Sequence, residues 1–220
     1  MSRDRETEPS NRKQRTRQAL LEATLHLMEG DKSFGSLSLR EVTREAGIVP
    51  TAFYRHFRDM EELGLALVDE CFHTLHQMIR SVRVSPLPSE RVIRGSIEVL
   101  VRHIHQNRSH FQFIARERYG GVSALRLAVR REIKLFVSEL ATDLARFPGL
   151  NRWSTEDLHM LAELMVGAVV STAEAILSVP PQRPEEEQDI TRMVEKQLRL
   201  IALAIPNWRS AAPTPPKESP

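Results

Sequence analysis

An all-α fold is what this sequence predicts. Apolar residues recur at helical spacing in segment after segment. Alternating runs of β-branched residues are lacking, and the 220 residues include only 9 Gly and 5% aromatics. Capping residues and Pro stand where helices should start, and Gly or Pro-Pro where they should stop. The pattern gives nine helices and no sheet: a compact N-terminal unit of three helices, then a long fourth helix leading into a larger helical body.

Residues 1–10 are polar and expected to be disordered. The first helix fits Arg12–Glu29, with Leu20, Ala23, Leu27 and Met28 on one stripe and Gly30 at its end. Ser38-Leu39-Arg40-Glu41 is a capping box: the Ser hydroxyl accepts the Glu41 amide and the Glu side chain reaches back. It opens a short helix to Ala46. Gly47-Ile48-Val49 breaks the chain, and Pro50 stands at a first helical position, where its missing N–H is harmless. The third helix is Pro50–Phe57. Asp59-Met60-Glu61-Glu62 repeats the capping signature and opens a long helix to Val82. Beyond Pro86-Leu87-Pro88 come helices at Ser89–Gln106, His110–Arg118 and Ser123–Arg146, with Gly120-Gly121 and Pro148-Gly149 as breaks. Ser154–Val179 is apolar nearly all round, and Pro180-Pro181 ends it. The last helix, Pro184–Ile205, carries Ile190, Met193, Val194, Gln197, Leu198, Ile201 and Ile205 on a seam. Residues 206–220 are rich in Pro and Ala and expected to be disordered. The organisation expected is an arm at 1–10, a head at 11–58, a body at 59–205 and a tail at 206–220.

Composition excludes several classes. One cysteine, Cys71, allows no internal disulfide framework and no Cys-based zinc cluster. The longest apolar run, near Leu164–Val170, is too short to span a bilayer, so no membrane partner is expected. The N-terminus lacks the apolar stretch of a signal peptide, so the expected location is cytoplasmic. There is no P-loop and no Gly-x-Gly-x-x-Gly. His103 and His105 are two apart on a helix and point to different faces, so no metal site is expected. The eight His form no triad with Ser and Asp. An enzyme reading therefore fares poorly, and no cofactor is expected. Net charge is +2 overall, but residues 10–58 carry +4, which is compatible with nucleic acid.

Leu39–Phe57 has the anatomy of a helix-turn-helix. Val42, Ala46, Ile48, Phe53 and Phe57 form its small core, and Gly47 stands at the turn. Burying Phe53 and Phe57 leaves Thr51, Tyr54, Arg55 and Arg58 outward. Arg can read guanine and the Thr methyl a thymine methyl, while Tyr and His more often hold phosphates. Short helix pairs with a Gly turn also occur as plain αα-corners, and the pattern alone leaves both open. In the helix Ser154–Val179, Gly167, Ala168, Ser171, Ala173 and Ala175 suit close packing, either inside a monomer or against a second copy.

The stretch Ser38–Leu63, SLREVTREAGIVPTAFYRHFRDMEEL, resembles the DNA-binding domain of the TetR family of repressors. The block Tyr54–Phe57, Tyr-Arg-His-Phe, is its most specific part, and Thr16 and Arg17 fit the family's first helix. Phe111–Arg118 (FQFIARER) and Ala128–Phe136 (AVRREIKLF) resemble the FabR/DesT branch, which controls unsaturated fatty-acid synthesis. Thr43 stands where many members have Ala. Met60 stands where many have a phosphate-holding Lys, leaving backbone N–H groups of that helix start for a phosphate.

The resemblance implies a homodimer on a double-stranded palindromic operator, with an acyl-CoA effector. Thr51, Ala52 and Arg55 would read the major groove. Arg12, Thr16, Ser38, Tyr54 and His56 would hold the backbone. It implies a tunnel long enough for an acyl chain, whose wall candidates are Phe72, Leu75, Met78, Ile79, Leu100, Ile104, Phe111, Phe113, Ile114, Ile133, Met165 and Val169. Periodicity alone assigns these to core. The basic cluster Arg116, Arg118, Arg126, Arg130, Arg131 and Lys134 suits the phosphates of coenzyme A, with Arg116 and Arg130 as contact candidates, and equally a solvated helix face paired with Glu117 and Glu132. A different hydrophobic effector, or outside the family a helical interaction scaffold, are the competing readings.

Overall fold

The structure, a computed structural model, describes residues 7–29, 32–82, 90–180 and 182–210. Among them are nine α-helices, two 3-10 turns and no strand: α1 Thr7–Leu27, a turn at Phe34–Ser36, α2 Leu39–Glu45, α3 Pro50–Phe53, α4 Met60–Val82, α5 Glu90–Gln106, α6 Arg108–Glu117, α7 Ser123–Leu144, α8 Thr155–Ser178, α9 Pro184–Ala204 and a turn at Ile205–Asn207. The all-helical reading holds. Three boundaries need correction. The first helix starts at Thr7, so residues 7–10 are helical and not a disordered arm. The third helix ends at Phe53, because the Arg55 and His56 amides donate to Ala52 O (3.2 Å) and Phe53 O (2.9 Å), tightening the chain into a turn.

The third correction concerns the tail. Residues 206–210 pack instead of trailing. The Trp208 and Trp153 ring centroids are 6.4 Å apart. The Ser210 hydroxyl accepts the Ser154 amide at 2.8 Å and donates to Asp157.

The chain divides into two compact units, each discontinuous in sequence. The first takes the described residues up to Gln77 together with Asn107–Arg130. There α1 packs on α2 and α6, and α2 on α3. Leu20, Leu21, Val42, Phe53, Leu63, Leu67 and Phe113 are fully enclosed. Gly64 is required by packing: a Cβ there would lie 2.7 Å from the Phe34 ring and 2.9 Å from Leu125 Cδ2. Gly64→Ala is expected to destabilise the protein by about 1–3 kcal/mol through overpacking, read as a lower urea midpoint. An unchanged midpoint would contradict this packing.

The second unit takes Met78–Gln106 and the described residues from Arg131 onward. Its apolar cluster is Val137, Ala141, Leu144, Leu150, Leu158, Leu161 and Ala162, with Ile201 and Ile205 of the C-terminal segment against it. The α9 seam splits: Val194 is buried, whereas Met193 is 56% exposed. Taken whole, α8 is long and apolar enough to cross a membrane, with mean hydropathy 1.7 over its best window, so the run Leu164–Val170 understates it. Only 28% of that window is buried. Met160, Leu164, Gly167 and Ser171 stand at helical spacing on its exposed side, and Met193, Leu200 and Leu203 are exposed on α9.

Candidate DNA-binding surface

The recognition pair is built from local chemistry. Ser38 Oγ accepts the Glu41 amide (3.3 Å), and Glu41 Oε2 accepts the Ser38 amide (2.9 Å), which completes the predicted capping box. The Ser38 backbone and hydroxyl, then Lys32, hold the Glu41 carboxyl at about 2. The Ser38 hydroxyl also donates to Glu41 (2.8 Å), so it is engaged within the cap. Gly47 has φ +67, the left-handed conformation that the turn needs. Thr43 is buried and its hydroxyl donates to Leu39 O at 2.9 Å, which explains how a hydroxyl replaces Ala there. Of the expected small core, Val42, Phe53 and Phe57 are buried, while Ala46 and Ile48 are half-buried.

With Phe53 and Phe57 inside, their ring centroids 5.7 Å apart, Thr51, Tyr54, Arg55 and Arg58 are exposed and Ala52 is half-buried. Tyr54 packs edge-on against Phe53, which fixes the ring while leaving it 63% exposed. Arg12 is exposed, and the Thr16 hydroxyl donates to Arg12 O at 3.1 Å, keeping acceptor capacity. His56 is half-buried. Its Nδ1 is enclosed with no hydrogen-bond partner among the described residues. Burial, then the charges of Lys13, Arg17 and Arg55, lower its pKa. The imidazole thus feels the positive charge of Lys13, Arg17 and Arg55, which an anion placed there offsets.

Lys13 and Arg17 lie in the basic Arg12–Arg17 arm, which the sequence offers for added charge and not for named contacts. The Arg17 guanidinium lies 5.2 Å from the Phe57 ring centroid. A signal for both existed. Leu20 and Thr24 stand on the buried face of α1, with Met28 just past its end, and the same face continued backward at helical spacing reaches Arg17 and Lys13. The helix start at α4 is already occupied: Asp59 accepts the Glu62 amide (2.8 Å) and Glu62 accepts the Arg58 amide (2.6 Å). Two carboxylates there disfavour the phosphate expected at those amides.

The expected effector residues fall in both units. In the first, Phe72, Phe111 and Phe113 are buried, and Leu75 and Ile114 half-buried. In the second, Leu100 and Ile104 are buried, and Ile133, Met165 and Val169 half-buried. The side chains of Met78 and Ile79 lie outside the described residues. Arg116 has an internal task in place of a free head-group contact: it donates to Met28 O (2.6 Å) and Lys32 O (3.2 Å). Arg126 likewise donates to Gly120 O (2.5 Å), and Arg118 lies over the Tyr119 ring. Arg131 pairs with Glu132 (3.2 Å), while Arg130 and Lys134 are exposed. Within the second unit a groove of about 230 Å³ is lined by Ile93, Arg94, Arg192, Glu195, Lys196 and Arg199, none of them expected. Among the described residues no three His, Cys, Asp or Glu gather to hold a metal ion. His103 faces Val99 O, and His105 faces Glu187.

Residues 20–67 match the family model for bacterial regulatory proteins of the tetR family, and residues 88–202, more than half the chain, match the tetracyclin repressor-like C-terminal domain. The fold is similar to the fatty acid degradation regulator FadR from Bacillus halodurans (11% identity, TM-score 0.64, covering 85% of this chain and 94% of that one). It is similar to the transcriptional regulator FadR from Bacillus subtilis, solved with stearoyl-CoA (11%, 0.62, 84% and 97%). A TetR-like regulator from Rhodococcus sp. RHA1 is similar at 15% identity (TM-score 0.63, 88% and 97%).

Proposed function

The chain belongs to the TetR family of bacterial regulators, DNA-binding proteins and not enzymes, and from that premise we propose a homodimeric repressor that senses long-chain acyl-CoA. Its genes would be those of fatty-acid desaturation or unsaturated fatty-acid synthesis, and its place the cytoplasm. Thr51, Ala52 and Arg55 read the major groove of a palindromic operator. Arg12, Thr16, Tyr54 and His56, with Lys13 and Arg17, hold the phosphates. The observation that carries this reading is the exposed face Thr51–Tyr54–Arg55 beside a half-buried His56 whose pKa the charges of Lys13, Arg17 and Arg55 help lower. The exposed apolar sides of α8 and α9 support a second copy as the partner. A twofold dimer sets two recognition helices about 34–36 Å apart, one turn of duplex.

The fold shared with a FadR seen with stearoyl-CoA supports an acyl-CoA effector. The FabR/DesT-like segments at Phe111–Arg118 and Ala128–Phe136 support unsaturation as what is sensed. A kinked and a straight chain fill a tunnel differently, and only a differential affinity for two dimer geometries moves the equilibrium.

The test is fluorescence anisotropy on a labelled duplex from a desaturase or fatty-acid synthesis promoter, with protein alone, with oleoyl-CoA and with palmitoyl-CoA. Opposite shifts in affinity are expected. Specific binding indifferent to both thioesters would retain the repressor and discard this effector. Arg55→Ala is expected to lose ~1–3 kcal/mol of operator affinity and relax base choice at one position. Unchanged affinity would remove Arg55 from the readout.

A further inference from the structure

We propose that Glu117 and Arg116, at the C-terminal end of α6, form a latch that positions the recognition pair and opens when the Glu117 carboxyl loses its proton. This rests on the α2–α3 face being the operator surface. The Glu117 side chain is fully enclosed. Its Oε1 accepts the Phe34 amide at 3.1 Å, and its Oε2 is buried with no hydrogen-bond partner among the described residues. Gly120 closes over the carboxyl, and a Cβ at that position would collide with it. Beside it, the Arg116 guanidinium holds Met28 O and Lys32 O. The Phe113 ring packs edge-on to Phe34, centroids 6.3 Å apart. Residues Met28, Lys32 and Phe34, on the connection from α1 to α2, are thus tied to α6. That connection fixes how α2, and with it α3, leaves α1.

The chemistry of the orphan oxygen makes the latch proton-linked. A buried neutral carboxyl with one unmade hydrogen bond is tolerable, whereas an ionised one carries an unpartnered charge in an apolar site. Burial raises the Glu117 pKa, and the Phe34 amide and the Arg116 charge oppose it less strongly. Arg116 is on the same helix, the Lys32 amine is held by Glu41 (3.3 Å), and Arg126 comes from α7 to Gly120 O. From α4, Gly64 meets the Phe34 ring and brings no charge. The sign follows. A carboxyl raised on folding stabilises the closed form below its ordinary range, and that stabilisation is lost as pH rises through the raised value. Relief of the ionised form requires water at Oε2, which means parting α6 from Phe34. The α1–α2 connection then loses its preorganisation, and operator affinity falls.

Glu117→Gln is the informative variant, because its amide is neutral at every pH and still accepts the Phe34 N–H. Operator affinity is measured by anisotropy from mildly acidic to mildly alkaline pH. Wild type is expected to weaken relative to Glu117→Gln toward alkaline pH, by at most about tenfold for each unit by which closure raises the Glu117 pKa. His56 and the cations are common to both proteins, so the difference isolates Glu117. Glu117→Ala, which strands the Phe34 amide, is expected to bind weakly throughout. A second arm needs no DNA: amide exchange at Phe34, corrected for intrinsic rate, is expected to accelerate at alkaline pH in wild type and stay slow in Glu117→Gln. That exchange result without operator binding would sink the operator reading and keep the latch. Identical exchange and binding profiles for the two proteins would overturn the latch.

Discussion

Phe53→Ala is expected to destabilise the first unit by about 3–5 kcal/mol and to abolish specific operator binding. Phe53 is fully buried at the C-terminal end of α3, with Tyr54 edge-on and Phe57 tilted against it, each 5.7 Å away by ring centroids. A four-residue helix cannot sustain itself by backbone hydrogen bonds, so tertiary packing through Phe53 holds it. Removing the ring frees Tyr54 from its packing partner and leaves Phe57, under the Arg17 guanidinium, without a wall. Both the base-reading and the phosphate-holding groups are thereby displaced. Urea denaturation gives the stability change, and anisotropy the binding. Phe53→Leu, which keeps most of the volume, is expected to lose much less of both. A loss below about 1 kcal/mol for the alanine variant would mean that Phe53 does not organise this pair.

The double substitution Leu164→Glu and Leu200→Glu is expected to yield a folded monomer whose operator affinity falls roughly 10²–10⁴-fold, the factor lost when two linked half-sites become independent. Leu164 is 54% exposed on α8 and Leu200 70% exposed on α9, so neither glutamate enters the core. Across a twofold interface each new charge meets its own copies or apolar surface, and both are unfavourable. Sedimentation equilibrium reads the oligomeric state, and circular dichroism the retained helix. A double variant that stays dimeric and binds as wild type would place the twofold contact elsewhere.

Much of the head was legible because its signals are local. The Ser38–Glu41 box, the Gly47 turn, Pro50 at a first helical position and the Phe53–Phe57 pair each act within a few residues, and each is found where the sequence puts it. The exposure of Thr51, Tyr54 and Arg55 follows from burying those two rings. The end of α3 was not legible, since periodicity carries a helix on to Phe57 whereas the Arg55 and His56 amides close i→i+3 bonds. Nor was the packed segment 206–210, which reads as tail because it opens the Pro-rich stretch 206–220, while Trp208 and Ser210 find Trp153, Ser154 and Asp157.

The basic cluster after residue 115 shows the division most sharply. By itself the sequence determined that these residues are cationic, lie on helices and belong to a chain with the head of a TetR-type regulator. Only the tertiary structure decided that Arg116 serves the Met28 and Lys32 carbonyls beyond α1, that the charges of Lys13 and Arg17 act on His56, and that Glu117 reaches an amide 83 residues away. Helix starts, stops and turns are set by bonds between near neighbours, which a pattern records. A guanidinium or carboxyl is long and polar, and its partner is whichever backbone group the packing of distant helices leaves unsatisfied.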